Sequence, residues 1–478
     1  MKDEKNNFFG NLKQKINIKK IINIEFLITI FLLISPAVDV LTSFTRRFTL
    51  KAFSVGQIVR VLFLVIMGIY FIFKTKNSKL KKSTLIYFVL VAIYSLVSIL
   101  NLNKIYAEKG FGVNIKNIFR IFYFPVMTVL MLNIFLDDKF KIEKKLLVKV
   151  GLLYGLLLFI PTTMGVYFRS YGNNPQRGTN GLFYGANETS IIFSILSLFT
   201  YIYFIKNKIT VYSFVALFMS IYATFYIGTK VPVYSFVCSI LFLIIYFIFN
   251  VFIMKKYTKN EKKDYFKKFL LILLSALIIF PTSPFSDNYF ELRGKLKLPE
   301  FANEQKEKDE KTAEEKIVKE EYSIKYRKYF KEITSKRFNR QTNKTKVLGM
   351  GMYNSLDEKD VKLNDIDESL PEIFKVQKMV EIDFYDIFYS TGYLGFIVFV
   401  MPMISILGYV VVKSILKFKK VVIDTSIVSQ VFLILLTTGI SFMAGHAFLA
   451  PSVSIFLSIM LANLVYELNE IIKKTNIR

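Results

Sequence analysis

The sequence predicts an all-α, polytopic transmembrane bundle of about twelve helices carrying one large extracytoplasmic loop domain. Three observations point to it. Hydrophobic residues make up 53% of the 478, with 49 phenylalanines and a mean hydropathy of +0.42, far more apolar than a water-soluble domain of this size. They gather into runs of roughly the length that crosses a bilayer. One polar stretch, residues 284–383, interrupts the runs for far longer than a connecting loop.

Taken in order, residues 1–20 form a basic, cytoplasmic N-terminus in which Lys13, Lys15, Lys19 and Lys20 lead into a first run at 21–44. That run is long enough to span the hydrocarbon and has no small-x-small cleavage site, so it reads as an uncleaved first span. Further runs lie near 57–73, 83–100, 117–136, 146–165, 187–205, 210–227, 231–254 and 269–283, completing nine helices over 21–283. After the polar segment come 384–412, 424–443 and 451–468, three helices over 384–468, and a tail at 469–478. Backbone crossing lipid must satisfy its own hydrogen bonds, so these runs are helices.

Alternate connections are lysine-rich: Lys74 to Lys82, Lys139 to Lys149, Lys206 and Lys208, Lys255 to Lys268, Lys413 to Lys420, and the tail with Lys473 and Lys474. Basic loops stay on the cytoplasmic side, so both termini are expected inside and residues 284–383 outside the cytoplasmic membrane. The net charge of +28 falls in these short clusters, which argues against nucleic acid as a partner. Cys238, the single cysteine, excludes an intrachain disulfide and reads as a small buried hydrophobe.

Within the polar segment, residues 303–333 read as a charged helix with a stripe of Val318, Tyr322, Tyr326, Tyr329, Phe330 and Ile333. Arg337 and Arg340 follow it, and Gly349-Met350-Gly351 suits a sharp turn or a close backbone approach. The acidic cluster Asp365-Ile366-Asp367-Glu368 reads as loop surface. The segment ends in Glu381-Ile382-Asp383-Phe384-Tyr385-Asp386, where hydrophobicity resumes.

The external face carries cations: Arg60 and Arg120 near outer helix ends, Arg169 and Arg177 in one loop, and Lys230 in another. Charges at membrane depth are costly and mark functional sites by default, although near a helix end snorkelling is an alternative for Arg60 and Arg120. Several such groups around one outward cavity suit a diphosphate, which arginine grips through two nitrogens. His446, the only histidine, lies in an external turn and gives no metal site by itself; a structural hydrogen bond is the preferred reading.

The loop Arg177-Gly178-Thr179-Asn180-Gly181-Leu182-Phe183-Tyr184-Gly185-Ala186-Asn187-Glu188 resembles that of the O-antigen ligase and polymerase family, in which an arginine precedes a Gly-Phe-x-x-x-Asn element entering a helix. Gly228-Thr229-Lys230, Glu381 to Gly395, Ser35-Pro36-Ala37-Val38-Asp39 and Ala444-Gly445-His446 resemble other elements of that family, the last two those of Gram-positive members. One departure is informative: eleven positions before Gly392-Tyr393-Leu394-Gly395 the ligase branch has a histidine, whereas this chain has Glu381. The change favours a polymerase-like member over a ligase.

The resemblance implies a GT-C-like membrane glycosyltransferase that polymerises or ligates undecaprenyl-diphosphate-linked oligosaccharides for a capsule, exopolysaccharide or teichuronic-type polymer, with inversion and with no metal or other cofactor. A base must sit near the attacking hydroxyl and positive charge near the leaving diphosphate. Glu381 is the candidate base, with Asp383 or Asp386 behind it and a plain helix-end carboxylate as its alternative. Arg177 and Arg337 are candidate catalytic cations. Arg60, Arg120, Arg169, Lys230, Asn187, Asp383, Asp386 and His446 are candidate substrate contacts. Membrane lipid, a chain-length regulator and a flippase are the partners the resemblance adds. Two other readings fit the hydropathy: a flippase or exporter of lipid-linked sugars, and a non-catalytic scaffold of an envelope assembly.

Overall fold

The computed structural model describes residues 23–48, 54–105, 111–170, 178–286, 327, 330–332, 334–351, 380–443 and 445–476. Its helices are α1 (Ile24–Phe48), α2 (Val55–Lys74), α3 (Ser78–Ile105), α4 (Phe111–Asp137), α5 (Lys144–Thr163), α6 (Ala186–Lys206), α7 (Val211–Tyr226), α8 (Lys230–Ile248), α9 (Lys259–Ile279), the short α10 (Asn343–Leu348), α11 (Asp383–Leu416), α12 (Phe418–Ile423), α13 (Thr425–Met443) and α14 (Pro451–Asn476). Each of the twelve apolar runs is a helix. Eleven are long and apolar enough to cross a membrane. The twelfth, α7, has 16 residues and reaches only about 24 Å, short of a hydrocarbon core of roughly 30 Å.

Helix α9 begins at Lys259, well before the apolar run at 269. Thr258 and Glu261 close a capping box that starts the helix among the lysines. Buried Lys268 then turns its Nζ to the carbonyls of Ile205 and Asn207, 3.2 and 2.8 Å away, at the end of α6. A basic connection thus becomes helix because its one inward lysine finds carbonyl partners.

The centre of the bundle is α4, α6 and α14, whose apolar windows are 78%, 89% and 72% buried, against 28–33% for α2, α3, α8 and α9 at the lipid-facing rim. The central contacts are made by small residues and hydroxyls, as lipid-embedded packing favours. Thr128 Oγ1 donates to Ser458 Oγ at 3.0 Å between α4 and α14, and Ser220 Oγ to Ser197 Oγ at 2.6 Å between α7 and α6. Gly155 of α5 lies so close to Met219 that an added Cβ would sit 2.6 Å from the Met219 Cβ.

Helix α11 is two helices joined at Gly392 (φ 65°, ψ −171°). The break frees carbonyls, and the chain before it supplies their donors. Met350 N–H donates to Tyr389 O and Gly351 N–H to Ser390 O, both at 3.0 Å. The Tyr94 hydroxyl of α3 lies 2.8 Å from Thr391 O and 3.0 Å from Leu348 O. Gly349 and Gly351 both have positive φ, as the predicted turn requires, and a Cβ on Gly392 would strike the carbonyl of Val347. Nearby, buried Phe338 packs with Met350 and Tyr389, so this part of the polar segment rests on the first half of α11. Of the helix predicted over 303–333, Arg327, Phe330, Lys331 and Glu332 are described, Phe330 being fully buried. The rest of it, like Asp365 to Glu368, lies outside the described residues.

Candidate functional site

The α5–α6 loop, the α7–α8 turn, residues 327–351 and 380–382, and the turn 445–450 between α13 and α14 share one end of the bundle. In the first, residues 168–170 pair with 178–181: Phe168 N–H donates to Gly181 O at 2.7 Å and Asn180 N–H to Phe168 O at 2.7 Å. Gly181 (φ 53°) lies on the backbone of Leu158, and Gly178 (φ 117°) lies against Ile227 and Gly228. This glycine contact brings the Arg177-bearing loop to the turn that ends in Lys230, the exposed first residue of α8. Arg177 itself lies outside the described residues, and Arg169 is exposed on the ladder. Gly185 then caps α6, placing Asn187 and Glu188 in its first turn.

Arg60 is not at the surface. It is buried in α2 and ion-paired with Asp39 of α1, whose other oxygen accepts from Tyr154 Oη of α5 at 2.6 Å. The absence of a side chain at Gly56 makes the space, since a Cβ there would lie 2.6 Å from an Arg60 guanidinium nitrogen. A charge so committed serves the packing of three helices, and breaking the pair by removing one partner strands the other. Asp39 lies in the Ser35-to-Asp39 element, so that element finds its partner here.

A second group of charges is gathered where α1 ends and α4, α6 and α14 begin. Lys116 and Arg120 lie one turn apart on α4, and the charges of Arg46 and Arg120 both act on Lys116. Arg120 Nε donates to Leu449 O at 2.7 Å, tying α4 to the 445–450 turn. The charges of Arg46, His446 and Arg120 all act on Glu188, whose Oε2 accepts from Ser452 Oγ at 3.0 Å. The Arg46 guanidinium stands 5.8 Å from the ring centroid of Tyr184, an exposed residue of the loop before α6. Positive charge from two helices therefore surrounds one carboxylate at the N-terminus of a third.

Residues 380–386, at the end of the polar segment, close over the same turn. Asp383 is buried, and its carboxylate accepts backbone N–H groups from His446 and Ala447 at 2.6 Å and Phe448 at 2.8 Å. Asp386, also buried, accepts from Val380 N–H at 2.8 Å. Both aspartates thus hold backbone in place. Glu381 is different: its carboxylate is 44% exposed and lies 3.3 Å from Nη2 of Arg327. Glu381 and His446 both take positive φ, 62° and 65°, uncommon for residues with a Cβ, and Gly445 abuts the Glu381 carbonyl. Such strain persists only where the surroundings over-determine it. The 445–448 turn therefore lies between Glu381 on one side and the Glu188 cluster on the other. Arg337, on the helical stretch 334–339, is half-buried.

Sequence reading alone did not single out Arg46, Lys116, Glu188, Arg327 or Tyr154. The i,i+4 pair Lys116/Arg120 and the acidic residue next to Asn187 were signals available for two of these sites, Lys116 and Glu188. Nothing local marks Tyr154 or Arg327.

A search of curated proteins finds no match. The family model described as O-antigen ligase like membrane protein matches residues 23–471, from the start of α1 to within the last turns of α14. Membership of that family implies a glycosyltransferase working on lipid-linked glycan. The match takes in every spanning helix, the broken α11 and both charge clusters, and the chain accordingly belongs to the O-antigen ligase-like membrane protein family.

Proposed function

We propose that this protein is a metal-independent, inverting polysaccharide polymerase that lengthens undecaprenyl-diphosphate-linked repeat units at the outer face of the cytoplasmic membrane. One observation carries the reading: the charges of Arg46, Arg120 and His446 act on Glu188 at one end of the bundle, with Lys116 beside Arg46 and Arg120, and Glu381 stands on the other side of the 445–448 turn. A diphosphate leaving group needs concentrated positive charge, and an attacking hydroxyl needs a carboxylate, in adjoining space.

In this reading the acceptor hydroxyl oxygen attacks the anomeric carbon from the side opposite the diphosphate. The new C–O bond forms as the bond to the diphosphate breaks, its electron pair leaving on the diphosphate oxygen, and the hydroxyl proton passes to Glu381. Arg46, Lys116 and Arg120 stabilise the developing charge, with Lys230, Arg177 and Arg337 as further cations for the diphosphate. Asn187, Arg169 and His446 contact the glycan. Asp383 and Asp386 act by holding the 445–448 turn and residue 380 in register, and Arg60 by holding α2 on α1 and α5.

The test uses purified protein and undecaprenyl-diphosphate-linked repeat units, with chelator and without nucleotide. The parent chain should build a ladder of longer lipid-linked glycans. Glu381→Gln should lose about 10²–10⁴-fold in rate, the size of a general-base contribution. A parent chain that makes no ladder from verified substrate, or a Glu381→Gln variant that makes it at full rate, would sink the assignment.

A further inference from the structure

At the other end of the bundle a set of lysines converges on one short segment. Lys206 Nζ, at the end of α6, donates to Thr425 Oγ1 at 2.5 Å, and Lys256 Nζ donates to Ile423 O at 3.0 Å. Lys144, the first residue of α5, is near enough for its charge to act on Lys206, as does that of Lys256. These three elements and the start of α13 are far apart in sequence and meet at residues 423–425.

The charges there do not balance. Desolvation works against the Lys141 ammonium, but the Glu467 carboxylate 3.0 Å away outweighs it and holds the group above its usual range, so this pair is committed to itself. Asp424 caps α13, accepting from Ser426 N–H at 2.7 Å. It faces Lys144 and Lys206, while Lys256 acts on Glu261, itself engaged in capping α9 with Thr258, and Glu467 reaches only Lys144 among the three. Repelling ammonium groups held together around fewer carboxylates call for an anion.

The backbone is shaped to bring Lys256 in. Helix α8 ends in a π-turn, Phe249–Ile253, and Lys255 takes φ 48°, a left-handed conformation costly for a residue with a Cβ. The chain so turned lets Lys256 N–H donate to Asn250 O at 2.9 Å while its side chain crosses to α13. Directly before it, Ile245, Ile248, Phe252 and Ile253 are all exposed, an apolar strip running down α8 into the lipid.

An anion beside an apolar strip at the membrane surface is an anionic phospholipid. We infer that Lys144, Lys206 and Lys256 bind the phosphate of one such lipid, whose acyl chains lie along α8. The site is at the end opposite the proposed chemistry and does not depend on it.

The test is thermal unfolding and native mass spectrometry of delipidated protein in neutral detergent, with phosphatidylglycerol, phosphatidylcholine or inorganic phosphate added. The triple variant Lys144→Gln/Lys206→Gln/Lys256→Gln is compared with Lys259→Gln/Lys263→Gln/Lys267→Gln, which removes the same charge from exposed lysines of α9. Phosphatidylglycerol should raise the unfolding temperature and remain bound in the parent and the α9 variant, with at least half of both effects lost in the first. Equal retention in both variants would show general charge attraction and overturn the site. Full stabilisation by inorganic phosphate alone would overturn the lipid. If the first triple variant does not fold, Lys206→Gln alone is measured against Lys263→Gln, and equal binding again overturns the proposal.

Discussion

Glu381 and Asp383 stand two residues apart with opposite tasks, and the difference is testable. Asp383 neutralises three backbone donors in a buried turn, so Asp383→Asn turns one accepting oxygen into a donor facing N–H groups. We expect this to cost at least about 2 kcal/mol of stability and to lower activity with it, both seen as a depressed unfolding temperature in detergent. Glu381 shares a half-exposed ion pair with Arg327, worth less than about 1 kcal/mol. Glu381→Gln should therefore unfold with the parent while losing turnover. A Glu381 variant that loses stability and activity in proportion would make it a helix-end carboxylate after all. Glu188→Gln offers a third pattern: it leaves Arg46 and Arg120 less neutralised, so binding of undecaprenyl diphosphate should tighten or hold while transfer slows. Weaker binding would instead place Glu188 among the substrate's contacts. At this scale the sequence was legible where a charge interrupts an apolar run. It was silent on what each charge meets, because Arg60 and Asp39 lie 21 positions apart and Tyr154 a further 94.

Among the elements, α11 carries the most consequence, since its break at Gly392 lets residues 348–351 pass beside the first half-helix that presents Glu381, Asp383 and Asp386. Broken backbone at membrane depth survives only if its freed groups find partners inside the protein. The Tyr94 hydroxyl serves both Leu348 O and Thr391 O, and Tyr94→Phe removes that donor without changing the ring. A loss of about 1–3 kcal/mol is expected, read as a lower unfolding temperature, and an unchanged temperature would show that water or another group replaces it. Gly392→Ala is predicted to be far worse, because positive φ and the close Val347 carbonyl both exclude a Cβ. Its expected outcome is loss of folded protein by size-exclusion chromatography. The Gly349–Gly351 turn stood out in the sequence as a place of close backbone approach, and Gly392 and Gly395 only as a pair of glycines in the family's pattern. That they approach one another, with Tyr94 between them, could not be read there: the pairing spans about 300 positions and has no period to reveal it. Helix existence was legible because an apolar run has few other ways to be satisfied in lipid. The early start of α9 was not, because it depends on a cap and on Lys268 reaching carbonyls of another helix.

For the molecule as a whole, the two ends of the bundle differ in kind. One gathers the lysine-rich connections: Lys76 N–H meets Asp137, Lys141 meets Glu467, and Lys206 and Lys256 meet the start of α13. The other gathers the strained loops, the broken helix and the Glu188 and Glu381 clusters. Retention of basic loops by the cytoplasm leads us to propose that the lysine end lies inside, and both termini with it. The substrate chemistry agrees, since transfer from a diphosphate-linked donor needs no nucleotide and can run outside. Because Cys238 is the single cysteine, Cys238→Ser provides a background on which one new thiol reports its side. Tyr184→Cys, exposed beside Arg46, should react with a membrane-impermeant maleimide on intact cells. Lys208→Cys, exposed between α6 and α7, should react only after permeabilisation. The reverse pattern would place Glu188 and Glu381 in the cytoplasm, where sugars arrive on nucleotides, and would remove the physical reason for a lipid-diphosphate donor at that site.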